Sequence, residues 1–152
     1  MEHTSTNAFT HTGSVPQRAM LTVCKRFEFE AAHRLEGYDG PCACWHGHSY
    51  RLDVEVGGSL QPDSHMLVDF AELKRVVHET ILCHVDHSDL TSLFDHTTAE
   101  AIVCDLGCVL VSVCARTWPH AWIRRIRLYE TRTSFAEIVY DPPVTNREKG
   151  AS

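Results

Sequence analysis

The stretch Cys42-Ala-Cys-Trp-His-Gly-His-Ser-Tyr-Arg-Leu-Asp-Val-Glu-Val56 decides the reading of the chain. His46, His48, Tyr50, Leu52, Val54 and Val56 fall on one parity, and Trp45, Gly47, Ser49, Arg51, Asp53 and Glu55 on the other. A period of two predicts a β-strand with one apolar and one wetter face. His46 and His48 then share the apolar face, about 6.6 Å apart along the strand. Two imidazoles at that separation can converge on one ion, and nitrogen ligands at about 2 Å suit Zn²⁺. A His-x-His pair alone is more often two partly exposed histidines, so the reading turns on whether a third histidine arrives the same way.

It does. Leu21 to Leu35 alternates too, with Leu21, Val23, Phe27, Phe29, Ala31 and His33 on one face and Thr22, Arg26, Glu28, Glu30 and Arg34 on the other. Gly37, Asp39, Gly40 and Pro41 mark a connecting loop. If the two strands pair antiparallel, His33 meets His46 and His48 across the ladder. Three histidines leave one coordination position open, the arrangement of a catalytic zinc rather than a structural one. A rival set of Cys42, Cys44, His46 and His48 would span about 20 Å on an extended strand, too far for one tetrahedral ion.

Beyond Gly57-Gly58 the pattern changes period. Asp69 with Glu72 has capping-box spacing, and Phe70, Leu73, Val77 and Ile81 recur as one apolar helical face. His78 and His84 lie on or near that helix and are read as solvated or satisfied rather than as ligands. Val85 to Leu90 reads as a polar loop, in which Asp86 beside His87 is either a solvated turn or a base with its orienting carboxylate. Thr97 and Glu100 repeat the capping-box spacing, and Ile102, Leu106, Val109, Leu110 and Val113 predict a strongly apolar second helix ended by Trp118-Pro119. Cys104, Cys108 and Cys114 are expected in it as small buried hydrophobes. Two more strands, 121–131 and 135–141, are joined by Arg132-Thr-Ser134. In the first, Trp122, Ile126 and Leu128 share a face with Glu130. A carboxylate ending an apolar row is costly without a donor partner, so Glu130 is either a ligand anchor or a strand-end residue reaching water.

The 152 residues suit one domain with its own core. A net charge of −6 argues against a broad nucleic-acid surface, and no apolar run approaches the roughly 20 residues of a membrane span. Residues 1–20 have no apolar core for a signal peptide and read as a disordered leader. Residues 142–152, beginning Pro-Pro, read as a disordered tail. Seven cysteines scattered through apparent helices and strands fit a reduced, cytoplasmic protein better than a disulfide scaffold.

Phe29-Glu-Ala-Ala-His33, Cys42-x-x-x-His46-Gly-His48, Val68-Asp-Phe-Ala-Glu-Leu-Lys74, Asp86-His87, Thr98-x-Glu100 and Glu130-Thr131 together resemble the 6-pyruvoyltetrahydropterin synthase superfamily, in order over roughly residues 21–141. The resemblance implies an α+β tunnelling fold: a four-stranded antiparallel sheet with two helices packed on one face. It also implies a homohexamer, a dimer of trimers, with active sites at subunit interfaces. The three-residue gap between Cys42 and His46 resembles the branch that forms 6-carboxytetrahydropterin for 7-deazaguanine and queuosine synthesis. That branch converts 7,8-dihydroneopterin triphosphate to 6-carboxy-5,6,7,8-tetrahydropterin, acetaldehyde and triphosphate. The implied roles are Zn²⁺ on His33, His46 and His48, proton transfer by Cys42 and by His87 oriented by Asp86, and pterin anchoring by Glu130 with backbone near Thr98. Arg34, Arg125 and Arg127 are candidates for the triphosphate. Cys44 is an extra thiol beside Cys42. Thr97 and Val85 stand where Pro and Leu are common in the family. The pyruvoyl-forming enzyme, a sister pterin lyase and a non-catalytic zinc-bearing pterin-binding protein are the rival readings.

Overall fold

The computed structural model of the chain describes residues 19–143. The expected leader and tail therefore lie outside the described residues, except for Ala19, Met20, Pro142 and Pro143. Two long alternating strands, β1 (Thr22–His33) and β2 (His46–Gly58), pair antiparallel along their whole lengths, from Thr22 opposite Gly57 to His33 opposite His46. Their shared parity sends Phe27, Phe29, Ala31, Tyr50, Leu52, Val54 and Val56 into the core and leaves the charged residues on the other face. Helix α1 (Phe70–Val77) and helix α2 (Ala99–Thr117) cover the apolar face. Strands β4 (Ala121–Tyr129) and β5 (Phe135–Val139) complete the antiparallel run.

Among the described residues the sheet has five strands, not four. Ser88–Asp89 forms a two-residue β3 that runs parallel to β1 at Ala31 and Ala32, giving the order β3-β1-β2-β4-β5. The segment read as a polar loop is thus anchored: Val85 and Leu90 are buried on either side of it.

Four other expectations shift, each for a local reason. Asp69 caps α1 by accepting from the Ala71 N–H, while Glu72 turns away to accept from the Trp118 indole at 2.8 Å, so no capping box closes. Phe70 is 48% exposed, and the buried row is Leu73, Val77, Ile81 and Val85. A strict spacing of four drifts by about 40° per step on a 3.6-residue helix. A wider π turn at His78–Leu82 absorbs that drift before the last turn, Cys83–Val85. The second helix is capped by Thr98, whose hydroxyl accepts from the Ala101 N–H, and not by Thr97. Finally, Cys104 and Cys108 lie exposed on α2, and only Cys114 of the three is buried; burial pushes its thiol up to about 11.

Strand β4 carries a bulge. Glu55 faces Arg125 and Val56 faces Ile123, so Arg124 is the extra residue. The parity changes there. Ile123, Ile126 and Leu128 point into the core, and Trp122 lies over Gly57 instead of in the predicted row. Leu52, fully buried at the centre of the sheet, is the place to test the core. Leu52→Ala is expected to cost about 2–5 kcal/mol, read as a lowered urea midpoint with an unchanged slope.

Candidate metal and pterin site

The end of the β1–β2 ladder brings three imidazoles together. His33 closes β1 directly opposite His46, which opens β2, and His48 lies opposite Ala31. One ligand nitrogen from each histidine lies within 4.8 Å of the others. His33 is 1% exposed, and the other two are partly buried.

Which nitrogen each ring offers follows from its neighbours. His33 Nδ1 lies 2.8 Å from the Thr97 carbonyl, and His46 Nδ1 lies 2.8 Å from the Cys44 carbonyl. A carbonyl oxygen only accepts, so both Nδ1 atoms carry the proton and donate it. In the neutral ring Nε2 is then the nitrogen with the lone pair, and both Nε2 atoms are buried without a hydrogen-bond partner. Such a backbone-held tautomer is how metal-binding histidines are oriented. Burial, the largest influence, pulls His48 below the ordinary histidine range against the opposing pull of Glu130, favouring the neutral ring that ligates. Buried, unpartnered lone pairs on converging rings are the donor set that a divalent metal requires.

Glu130 stands at the same place. It follows β4 at the mouth of the β4–β5 hairpin, where its N–H donates to the Ser134 carbonyl. Its Oε1 lies 3.4 Å from His33 Nε2 and 3.9 Å from His48 Nε2. A hollow of about 200 Å³ opens beside it, lined by Leu35, Thr98, Glu100, Glu130 and Phe135. Glu130 and Thr98, singled out separately in the sequence, thus line one cavity, although the Thr98 side chain is already engaged as a helix cap. Tyr50 lies beneath the triad, with its ring 5.5 Å from that of His48. Its hydroxyl is buried without a partner, and burial first, then Glu130, push it up and keep it protonated. The larger hollow of about 630 Å³ has neither Glu130 nor any of the three histidines in its lining and carries Glu36, Asp89 and Asp95 against Arg34. Its volume does not make it the chemical site.

The remaining candidates fall elsewhere. Cys42 is half-buried in a 3₁₀ turn (Pro41–Ala43), and Cys44 is exposed just before β2, so neither belongs to the ladder and strand parity does not relate them. Asp86 and His87 form a dyad at the β1 edge. Asp86 Oδ1 accepts from the Glu30 N–H at 3.0 Å and from His87 Nδ1 at 2.9 Å. The Glu30 N–H, then His87, hold its carboxyl below the usual range. His87 has φ of 57°, an uncommon conformation outside glycine, fixed by its N–H donating to the Glu30 carbonyl. The His87 side chain is 78% exposed. It borders a hollow at the end of the β1–β2 ladder that is lined by Glu30, Ala32, Gly47 and Ser49, from the sheet face away from the helices, and also by Ala31 and His48. Within one chain, then, His87 of the dyad and His48 of the triad share one hollow.

Arg125 and Arg127 also lie on that outer face, paired with Glu55 at 2.6 Å and Glu137 at 2.7 Å, and Arg34 pairs with Glu36 at 2.8 Å. All three guanidinium groups are engaged. Sequence reasoning missed two residues of the site. Thr97 fixes His33 through its carbonyl, and its own hydroxyl donates to the Arg34 carbonyl. Cys44 contributes a carbonyl where a thiol drew attention. Backbone roles leave no side-chain signature. Tyr50 was legible only as a core residue.

Among known proteins, the chain is similar to the 6-carboxy-5,6,7,8-tetrahydropterin synthase of Haemophilus influenzae. The two are 33% identical over 141 residues, covering 78% of this chain and 98% of the relative. It is 28% identical to the 6-pyruvoyl tetrahydrobiopterin synthase of Pongo abelii over 76% of this chain and 88% of that one. The structure of the Caenorhabditis elegans 6-pyruvoyl tetrahydropterin synthase superposes with a TM-score of 0.69 at 25% identity, covering 81% of this chain and 97% of that one. The family model described as 6-pyruvoyl tetrahydropterin synthase matches residues 22–141. Fold, site geometry and sequence agree that this chain is an enzyme, a lyase belonging to the 6-pyruvoyl tetrahydropterin synthase family.

Proposed function

We propose that the chain is a zinc-dependent 6-carboxytetrahydropterin synthase, acting on 7,8-dihydroneopterin triphosphate and water in 7-deazaguanine and queuosine synthesis. The products are 6-carboxy-5,6,7,8-tetrahydropterin, acetaldehyde and triphosphate. One observation carries the reading: the lone pairs of His33 and His46 converge with His48 beside a carboxylate-bearing hollow. The gap between Cys42 and His46 and the similarity to the Haemophilus influenzae relative support the carboxy branch.

In this reading Glu130 accepts hydrogen bonds from the 2-amino and ring N–H groups of the pterin, in the hollow it shares with the Thr98 backbone. When bound, the metal supplies Lewis-acid polarisation of side-chain oxygens. Cys42, in its turn outside the ladder, moves a proton at the pterin side chain. His87, held by Asp86, relays the second proton. His87 and His48 border one hollow of the chain, and the family resemblance places the active sites at subunit interfaces. Assembly as a homohexamer, a dimer of trimers, is part of this reading, and a free sheet edge supports it: among the described residues β5 has no neighbour on its outer side and exposes Phe135 and Val139.

The test is product identification. Mass spectrometry after incubation with dihydroneopterin triphosphate is expected to find 6-carboxytetrahydropterin, with acetaldehyde captured as its hydrazone. A 6-pyruvoyl product without acetaldehyde would move the chain to the pyruvoyl branch, the reading favoured by the Pongo abelii relative. The anchor has its own test. Glu130→Gln keeps the shape but replaces an acceptor oxygen with a donor facing the ring N–H. Substrate binding is expected to weaken by about one to two orders of magnitude, in line with about 1.5–3 kcal/mol for a charged hydrogen bond. Unchanged dissociation and Michaelis constants would remove Glu130 from the pterin site.

A further inference from the structure

The position of Glu130 is closer to the triad than a pterin anchor alone requires. Its Oε1 faces the Nε2 atoms of His33 and His48 at 3.4 Å and 3.9 Å. The His33 Nδ1 donates to the Thr97 carbonyl, so Nε2 is the nitrogen that faces Glu130. At 3.4 Å the contact is longer than the roughly 2.7–3.2 Å of an ordinary N–H···O hydrogen bond, and His33 Nε2 has no other partner. Among the described residues, no N–H or O–H donates to the Glu130 carboxylate. A negatively charged acceptor pointed at neighbouring acceptors is repulsive unless a cation lies among them. The 3.4 Å separation has the scale of that arrangement, while the 3.9 Å contact and the spacing of up to 4.8 Å among the histidine nitrogens are wider and would close on an ion. Ligands bonded to zinc at about 2.0–2.2 Å in a tetrahedron stand roughly 3.3–3.5 Å apart.

We infer that Glu130 is a removable fourth ligand: it occupies the open coordination position when no substrate is bound, and gives it up when its carboxylate is taken by the pterin N–H groups. The inference rests on the reading of His33, His46 and His48 as a metal site and extends the anchoring role of Glu130. A carboxylate at the fourth position keeps the resting metal charge-balanced. Its departure makes a position available at the moment the pterin side chain arrives, coupling ring recognition to exposure of the metal. The coupling is reciprocal by linkage. A pterin that engages Glu130 but offers the metal nothing in return has to compete with the metal for the carboxylate.

The experiment uses the full chain, without substrate, in three forms: wild type, Glu130→Gln and Glu130→Asp. Glu130 is partly exposed at a hairpin mouth, and a retained thermal transition confirms that each variant folds. Zinc affinity is measured by competition with a chromophoric chelator, and coordination by the visible spectrum of the cobalt-substituted protein. Both variants are expected to bind zinc at least about ten-fold more weakly, no less than the loss of an outer-sphere partner costs, with an altered cobalt spectrum. Glu130→Asp keeps the charge but is one methylene too short to reach. A weakened Gln variant beside an unweakened Asp variant would mean through-space attraction rather than ligation, and would overturn the inference. The second arm measures binding of 6-methylpterin, which has no side-chain hydroxyl. It is expected to bind zinc-loaded wild type several-fold more weakly than metal-free wild type, with the difference lost in Glu130→Gln. Equal binding by the two wild-type forms would also overturn the inference. The failures are distinguishable. A wild type that takes up no metal refutes the metal site together with this inference. Metal affinity and spectra unaffected by either variant, alongside weakened pterin binding, refute only the ligand role of Glu130.

Discussion

His48→Ala protein is expected to leave purification without its metal and without measurable turnover. The three histidines come from two strands whose register holds them at the end of one ladder. His33 and His46 are each locked as the Nδ1–H tautomer by a carbonyl. The two remaining rings cannot compensate for the third, because their backbone partners stop them turning. Loss of an outer hydrogen-bond partner of a metal ligand already costs about 10–100-fold in affinity, and loss of a ligand costs more. The fold is expected to survive, since His48 is partly exposed at a strand end while the core lies further along β2. Elemental analysis and steady-state rates are measured on the same sample. A His48→Ala protein carrying one full equivalent of zinc would remove the triad as the ligand set.

Cys42→Ala is the second large effect: turnover is expected to fall by at least about 10²-fold, the lower range for a general acid–base group, with metal content and fold retained. Cys44→Ala is expected to keep most of its activity. The two thiols differ in setting. Cys42 sits half-buried in the Pro41–Ala43 turn, whereas Cys44 is exposed and serves His46 through a carbonyl that alanine also possesses. Rates and zinc content are compared across the pair. A dead Cys44→Ala enzyme beside an active Cys42→Ala enzyme would reverse the assignment, and the spacing argument for the carboxy branch would fall with it.

The convergence of His33, His46 and His48 was legible because a strand has a period of two and all three residues share one parity. Pairing the strands was enough to bring them together. Glu130 was legible as an anomaly, a charge ending an apolar row. What escaped had no periodic signature. The bulge at Arg124 moves Trp122 out of its expected row by one inserted residue. The π turn at His78–Leu82 follows an apolar spacing of four that looks helical either way. The two-residue β3 is too short for alternation to show. Thr97 and Thr98 both precede the helix as threonines, and only their backbone conformations decide which one caps it. That His87 comes to share a hollow with His48 depends on which side of β1 the chain returns to after α1, and no local pattern encodes that.

The tautomer control at this site is supplied by main-chain oxygen, from Thr97 for His33 and from Cys44 for His46. Any amino acid presents the same oxygen if the chain follows the same path. Point substitutions at these two positions are therefore buffered: they can change local stability without changing which nitrogen faces the metal. Insertions and deletions are not buffered. One residue added between Cys44 and His46, or between Thr97 and the start of α2, would carry the carbonyl away from its ring and free the imidazole to flip. The site is tolerant of spelling changes and intolerant of changes in length. Libraries meant to retune the pterin chemistry can vary the exposed Cys44 side chain provided that its segment keeps its residue count, whereas Thr97 is buried and its hydroxyl also holds the Arg34 carbonyl.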